Sequence, residues 1–244
     1  IYVLTFSNPP DNRITPSLIT TFINVLDFVE KHVPRSAVLV TTSSNATPKF
    51  YSNGFMLTLG RETPEFHHDY WNKLLIRLLT LPIPTVALVS GHVPRRPKFA
   101  AGFMLALHHD YRVMNFIIVN QIASKGWLCM NEIEFGGELT PSMTSILREK
   151  LDAKTYRAAV LEAHRFTGPE ALSSEIVDAL GDMSDVVKLI EDRKLIGKGS
   201  KEVFGLLRDE MYRVTVGLLE RYPNKAGTQR DDKEKLGLPR WSKL

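Results

Sequence analysis

Three short stretches of the 244-residue chain hold residue types that can support proton transfer beside a stabilised anion. In the first, Gly54 follows Ser52 and Asn53 and permits a tight backbone turn. In the second, Gly102 stands at the head of an apolar stretch with helical spacing. A glycine-bearing turn after a strand, and the first turn of a helix, both leave backbone N–H groups without acceptors. Phe55 and Ala101 occupy those two places. Such N–H groups suit an oxygen on which negative charge develops. In the third, Glu132 lies in the mostly apolar window Cys129-Met-Asn-Glu-Ile-Glu-Phe-Gly136, where burial would raise its pKa toward a value useful to both an acid and a base. Glu134, two residues on, is the rival for that role, and Asn131 adjoins the same place.

Other chemistries are poorly served. A single cysteine, Cys129, allows neither an internal disulfide nor a four-cysteine zinc site, and it fits a reducing compartment. His67-His68 and His108-His109 are adjacent pairs, which on a helix point in different directions, so no metal site is expected. No apolar run reaches the ~18–20 residues of a membrane span, and the start of the chain shows no leader-peptide pattern. The formal charge of +4 equals the excess of seven basic over three acidic residues in the last 24. The body is therefore neutral and lacks the basic face a nucleic-acid binder needs.

The elements that must carry these residues alternate. Ile1 to Phe6 reads as a strand closed by the turn Asn8-Pro-Pro-Asp-Asn12. Thr15 before Pro16 is a helix start, and Leu18, Phe22, Val25, Leu26 and Val29 recur at helical spacing to about Glu30. Residues 37–41 and 85–90 are apolar runs of the kind buried in a parallel sheet. A helix around Trp71, Leu74, Leu75 and Leu78 lies between them, with Phe66 and Tyr70 read as core or pocket lining. A helix over 99–109 leads to a strand over 110–114, and helices are expected over 141–150, 154–163, 184–193 and 201–221. The pattern is α/β with a helical C-terminal part.

Taken in order, the three stretches resemble the crotonase (enoyl-CoA hydratase/isomerase) superfamily. Phe50-Tyr-Ser-Asn-Gly-Phe-Met56 is similar to its F-x-x-G-x-D/L element. Gly91-His92 with Phe99-Ala-Ala-Gly-Phe-Met-Leu-Ala-Leu-His-His-Asp-Tyr-Arg112 is similar to its N-G-x-x-x-G-G-G/A…D-Y-R/D element. Met130-Asn-Glu-Ile-Glu-Phe-Gly136 is similar to its glutamate-bearing N/P-E-x-x-x-G element, and the likeness runs on to Asp178. It implies a crotonase-like spiral of ββα units over residues 1–190, with a C-terminal helical extension and basic tail over 191–241. It also implies an acyl-CoA substrate, no separate cofactor, and a homotrimer or hexamer. By the same likeness Phe55 and Ala101 supply the oxyanion hole, Glu132 is the acid/base, and Ser52, Asn53, Gly54, Gly102 and Asn131 contact substrate.

One departure bears on the reaction. Hydratases of the family place a second glutamate three residues after the second oxyanion donor; here that residue is Met104, which can neither accept a proton nor hold a water well. A single carboxylate suits an isomerase that moves the double bond of a 3-enoyl-CoA to the 2-position. A hydratase, or an inactive acyl-CoA-binding paralogue, is the alternative. The latter is motivated by two stretches longer than the family pattern, 93–98 and 116–124. Finally, Ser242, Lys243 and Leu244 form the tripeptide read by the peroxisomal import receptor, so a peroxisomal matrix location is expected.

Overall fold

A computed structural model describes residues 1–44, 51–55, 65–90, 100–115, 118–119, 122–123 and 126–221. The chain opens with β1 (Tyr2–Phe6), α1 (Pro16–His32) and β2 (Leu39–Ser43). A π-helical turn (His67–Trp71) runs into α2 (Asn72–Thr80), followed by β3 (Thr85–Val89), α3 (Ala100–Leu107) and β4 (Tyr111–Met114). A small hairpin, β5 (Ile118–Val119) and β6 (Ile122–Ala123), precedes the short helix α4 (Glu132–Phe135). Then come α5 (Pro141–Lys150), α6 (Ala153–Leu161), α7 (Gly168–Ser173), β7 (Ala179–Leu180) and α8 (Met183–Asp192). A 3-10 turn (Lys198–Ser200) leads to α9 (Val203–Met211) and α10 (Arg213–Arg221).

Five strands form one sheet in the order β1-β2-β3-β4-β7, every neighbouring pair parallel. β2 and β3 are buried along their whole length, which fits the lack of charged residues in both; the hydroxyls of Thr41, Thr42 and Ser43 in β2 are buried with the rest. The sequence places the second strand two residues early, at 37–41; pairing of Phe6 with Ser43 carries it to Ser43. Thr15 caps α1 by accepting from the Leu18 N–H, and Ile19, Phe22, Leu26 and Val29 turn the buried face inward. On the other side of the sheet, Val186, Leu189 and Ile190 of α8 cover Val38, Val40, Val86 and Val113.

The parallel arrangement places the three chemical stretches together. β2, β3 and β4 end at one edge, and the segments leaving their carboxyl ends are those holding residues 52–55, α3 and residues 126–132. Open parallel sheets offer ligand sites at this edge.

Three features depart from the sequence expectation. The helix expected over 201–221 is two helices, broken at Tyr212, whose backbone leaves the helical region and whose ring lies buried beneath Lys150 Nζ, 5.0 Å from the ring centre. The helix before β3 starts with a π-turn. The boundary expected at residue 190 falls inside α8, and Arg208 of α9 reaches back into the body to the carbonyls of Leu78, Leu81 and Ile83. The expected inserts (93–98, and most of 116–124), Gly91-His92 and the terminal Ser242-Lys243-Leu244 lie outside the described residues.

Candidate active site

The first site segment is a turn held by the residues just after β1. Ser52 Oγ donates to the Asn12 carbonyl at 2.8 Å and accepts from the Gly54 N–H at 3.2 Å. Asn53 donates its backbone N–H to the Asp11 carbonyl and its side-chain amide to the Asp11 carboxylate, at 2.6 Å for the latter. The Ile14 N–H donates to the Gly54 carbonyl, and Arg13 donates to the Phe55 carbonyl at 2.7 Å. Gly54 has φ of 72°, a conformation for which glycine is the natural residue. Among the described residues the Phe55 N–H has no acceptor. The Phe55 ring lies edge-on to Phe66, His67 and Trp71, which fixes the turn from its apolar side.

The second segment is the first turn of α3, where helix geometry leaves the Ala101 N–H without an intrahelical acceptor. This turn lies directly against the first segment: a Cβ added to Gly102 would sit 2.9 Å from the Ser52 carbonyl oxygen and 3.1 Å from Ser52 Cβ. Only glycine admits that approach. The two backbone segments expected to form an oxyanion hole are therefore in contact. Three residues after Ala101, Met104 is 1% exposed and belongs to the hydrophobic core.

Residues 126–128 complete the junction. Ser52, Ser90, Gly102, Trp127 and Leu128 line a cavity of about 20 Å³, room for a water but not for an acyl chain. Glu132 and Asn131 do not line it; they follow a few residues later along the same segment. Leu128 is fixed by paired backbone bonds to Phe166, at 3.0 and 2.9 Å.

Glu132 begins α4 after the buried Asn131. Its Oε2 is buried and has no hydrogen-bond partner among the described residues. Loss of hydration raises the carboxyl pKa from 4.5 to about 7, opposed weakly by the residue's own backbone N–H. Glu134 is different: it is exposed and ion-paired to Arg165 at 2.8 Å. Gly136 takes φ of 71° to end the helix, and the Gly137 N–H closes back on the Glu132 carbonyl at 2.8 Å. Cys129, three residues before Glu132, is buried, donates to the Ala163 carbonyl, and has its thiol pushed up to about 12 by burial.

Sequence reasoning did not anticipate Thr41, Tyr51 or Ser90, whose hydroxyls all lie near this edge of the sheet. Ser90 Oγ meets Ser43 Oγ at 2.7 Å, and Tyr51 and Thr41 share a 3.4 Å contact. Among the described residues no cluster of three or more histidine, cysteine or carboxylate side chains could hold a metal ion, and no helix is long and apolar enough to cross a membrane.

Residues 1–212 match the family described as Enoyl-CoA hydratase/isomerase, and the chain belongs to that family, with the crotonase fold. It is 28% identical over 234 residues to enoyl-CoA delta isomerase 2, peroxisomal, of Arabidopsis thaliana, covering 90% of this chain and 91% of the relative. Identity to enoyl-CoA delta isomerase 1, peroxisomal, of the same plant is also 28%, over 97% of this chain and 96% of the relative. The human mitochondrial delta3-delta2-enoyl-CoA isomerase superposes with a TM-score of 0.69 at 22% identity, over 96% of this chain and 92% of the other. An enoyl-CoA hydratase from Mycobacterium marinum superposes equally well, TM-score 0.71 at 17% identity over 97% and 95%. Likeness to both reactions establishes the shared fold.

Proposed function

We propose that the protein isomerises 3-enoyl-CoA to 2-enoyl-CoA with Glu132 as the only acid/base. The observation that carries this is the combination of Glu132, half-buried with one buried oxygen that has no partner among the described residues, and Met104, a core residue where a second carboxylate would be needed to hold water. The Phe55 and Ala101 N–H groups would donate to the thioester oxygen. Glu132 then removes a proton from C2, the electron pair moves into the thioester to give a dienolate, and the same carboxyl returns the proton to C4. The double bond moves from C3–C4 to C2–C3, and no water is consumed. A pKa of about 7 serves both halves, since the group must be a base first and an acid second.

The isomerase names of the Arabidopsis relatives support the same assignment. Their peroxisomal designation, with Ser242, Lys243 and Leu244 at the end of this chain, supports import by the peroxisomal receptor and a matrix location. A homotrimer or hexamer is supported by the exposed Val203, Leu206, Leu207, Met211 and Val214, which recur at helical spacing along α9 into α10. Coenzyme A enters as part of the substrate, and no separate cofactor takes part in the scheme.

The direct test is Glu132→Gln. It keeps shape and removes proton transfer, so conjugation of 3-enoyl-CoA should slow about 10²–10⁴-fold while acyl-CoA binding persists. Near-wild-type turnover in this variant would remove Glu132 from the mechanism.

A further inference from the structure

Three buried side chains outside the reacting residues tie the two N–H-bearing segments to each other. His109 follows the C-terminal end of α3, and its Nδ1 lies 3.0 Å from the Leu105 carbonyl one turn back. A carbonyl can only accept, so Nδ1 carries the hydrogen, and the imidazole, held down to about 3 by burial, is neutral. Its Nε2 is thus an acceptor, 2.8 Å from Thr41 Oγ1. The Thr41 hydroxyl must donate to it, leaving the Thr41 oxygen to accept from Tyr51 O–H at 3.4 Å. Each donor and acceptor in the chain Tyr51 → Thr41 → His109 → Leu105 is fixed in direction. All three side chains are buried.

The chain's ends matter. Tyr51 immediately precedes the turn that carries the Phe55 N–H, and its ring is wedged edge-on against Phe6 at 5.2 Å. His109 anchors the far end of the helix whose first turn carries the Ala101 N–H. Among the described residues, the other polar ties of residues 52–55 to different segments all run to residues 11–14, on the side of β1. The tyrosine–threonine–histidine chain is the polar tie that runs to α3. Where Gly102 and Ser52 touch, the separation of the segments has no slack on the near side; the chain limits it on the far side.

We infer that Tyr51, Thr41 and His109 are positioning residues that hold the two oxyanion-binding backbone segments in register through one buried hydrogen-bond chain. The role presupposes the enolate chemistry proposed above. Oxyanion donors lose most of their effect when displaced by a fraction of an ångström, so the chain should influence turnover without touching substrate.

The test uses Thr41→Val, which keeps the branched shape and removes the hydroxyl, Thr41→Ser, which restores it, and Tyr51→Phe, which removes only the outer link. Two readouts are taken on the full chain at 25 °C: kcat and KM for 3-enoyl-CoA, and affinity for acetoacetyl-CoA against free CoA, with the ultraviolet band of the bound enolate. Thr41→Val should lower kcat about tenfold or more with KM little changed, and Thr41→Ser should recover most of it. Acetoacetyl-CoA affinity and its enolate band should fall in Thr41→Val, while free-CoA affinity should not. Tyr51→Phe should move both readouts in the same direction by a smaller factor, and it decides the matter if Thr41→Val does not fold. Wild-type values in Thr41→Val and Tyr51→Phe would overturn the role. So would a loss that serine fails to restore, or one that affects free CoA equally. If the wild-type protein does not isomerise 3-enoyl-CoA, the isomerase assignment fails, and the acetoacetyl-CoA arm still decides the positioning role.

Discussion

Held up to about 7 by burial, the Glu132 carboxyl divides its time between acid and base near neutral pH. In the free enzyme it must be ionised to take the C2 proton, so kcat/KM should rise with pH and level off above about 7. A profile flat from pH 5 to 8 would exclude a base with that titration. The same burial acts on stability. Below about 4.5 the carboxyl is neutral in both folded and unfolded chains; as pH rises to about 7 only the unfolded chain ionises it, and folding loses on the order of 3 kcal/mol. Glu132→Gln should therefore be more thermostable than wild type at pH 8 and nearly equal to it at pH 4.5, read by thermal melts. At Gly102, alanine would thrust a methyl to within 2.9 Å of the Ser52 carbonyl and force the two segments apart. Gly102→Ala should cost about 1–3 kcal/mol in stability and lose more activity than that loss explains. Gly54 and Glu132 were legible because each satisfies a local demand, a left-handed φ and an apolar window; the reason for Gly102, its approach to Ser52, shows only in the fold. The family likeness already chose Glu132 over Glu134, and the structure adds a physical contrast: Arg165 pairs with Glu134 at the surface.

At the scale of elements, strand and helix identity could be read wherever burial or capping is local. β2 and β3 are uncharged, mostly β-branched runs, Thr15-Pro16 begins α1, and Thr140-Pro141 begins α5 with the threonine accepting from the Met143 N–H. What could not be read depends on distant partners. The Thr41–His109 bond spans 68 residues, and Tyr212, where the C-terminal helix breaks, packs its ring against Lys150 from another helix. Burial of histidine is the energetic counterpart. His108 and His109 are held to about 3 and His67 to about 4 by desolvation. As pH falls below 6.5 the unfolded chain gains protons that the folded chain refuses, so each imidazole removes on the order of 2 kcal/mol by pH 5. Three such groups outweigh the opposite trend of Glu132. The melting temperature of the wild type should fall from pH 7 to pH 5, and fall more steeply in Glu132→Gln, which lacks the offset.

For the whole molecule, the parallel sheet gathers three segments at the carboxyl edge of β2, β3 and β4, and the C-terminal helices close over the other end through Arg208. The apolar stripe from Val203 to Val214 lies on their outer surface. If the proposed homo-oligomer uses this stripe, Leu207→Glu should shift the particle to a smaller mass by light scattering while leaving the circular dichroism unchanged; an unaltered mass would contradict assembly through it. Removing Ser242, Lys243 and Leu244 from a fluorescent fusion should move it from puncta to diffuse cytosol, and persisting puncta would indicate another route of import. Fold likeness to an isomerase and to a hydratase alike does not choose between the two reactions, and the proposed choice rests on Met104. The decisive measurement is the ratio of two initial rates for the purified wild-type protein: conjugation of 3-enoyl-CoA and hydration of 2-enoyl-CoA of the same chain length. With Glu132 as the acid/base and Met104 in place of a second carboxylate, the proposed mechanism predicts fast conjugation with hydration slower by about 10²-fold or more. Hydration at a rate comparable to conjugation would contradict the single-glutamate mechanism.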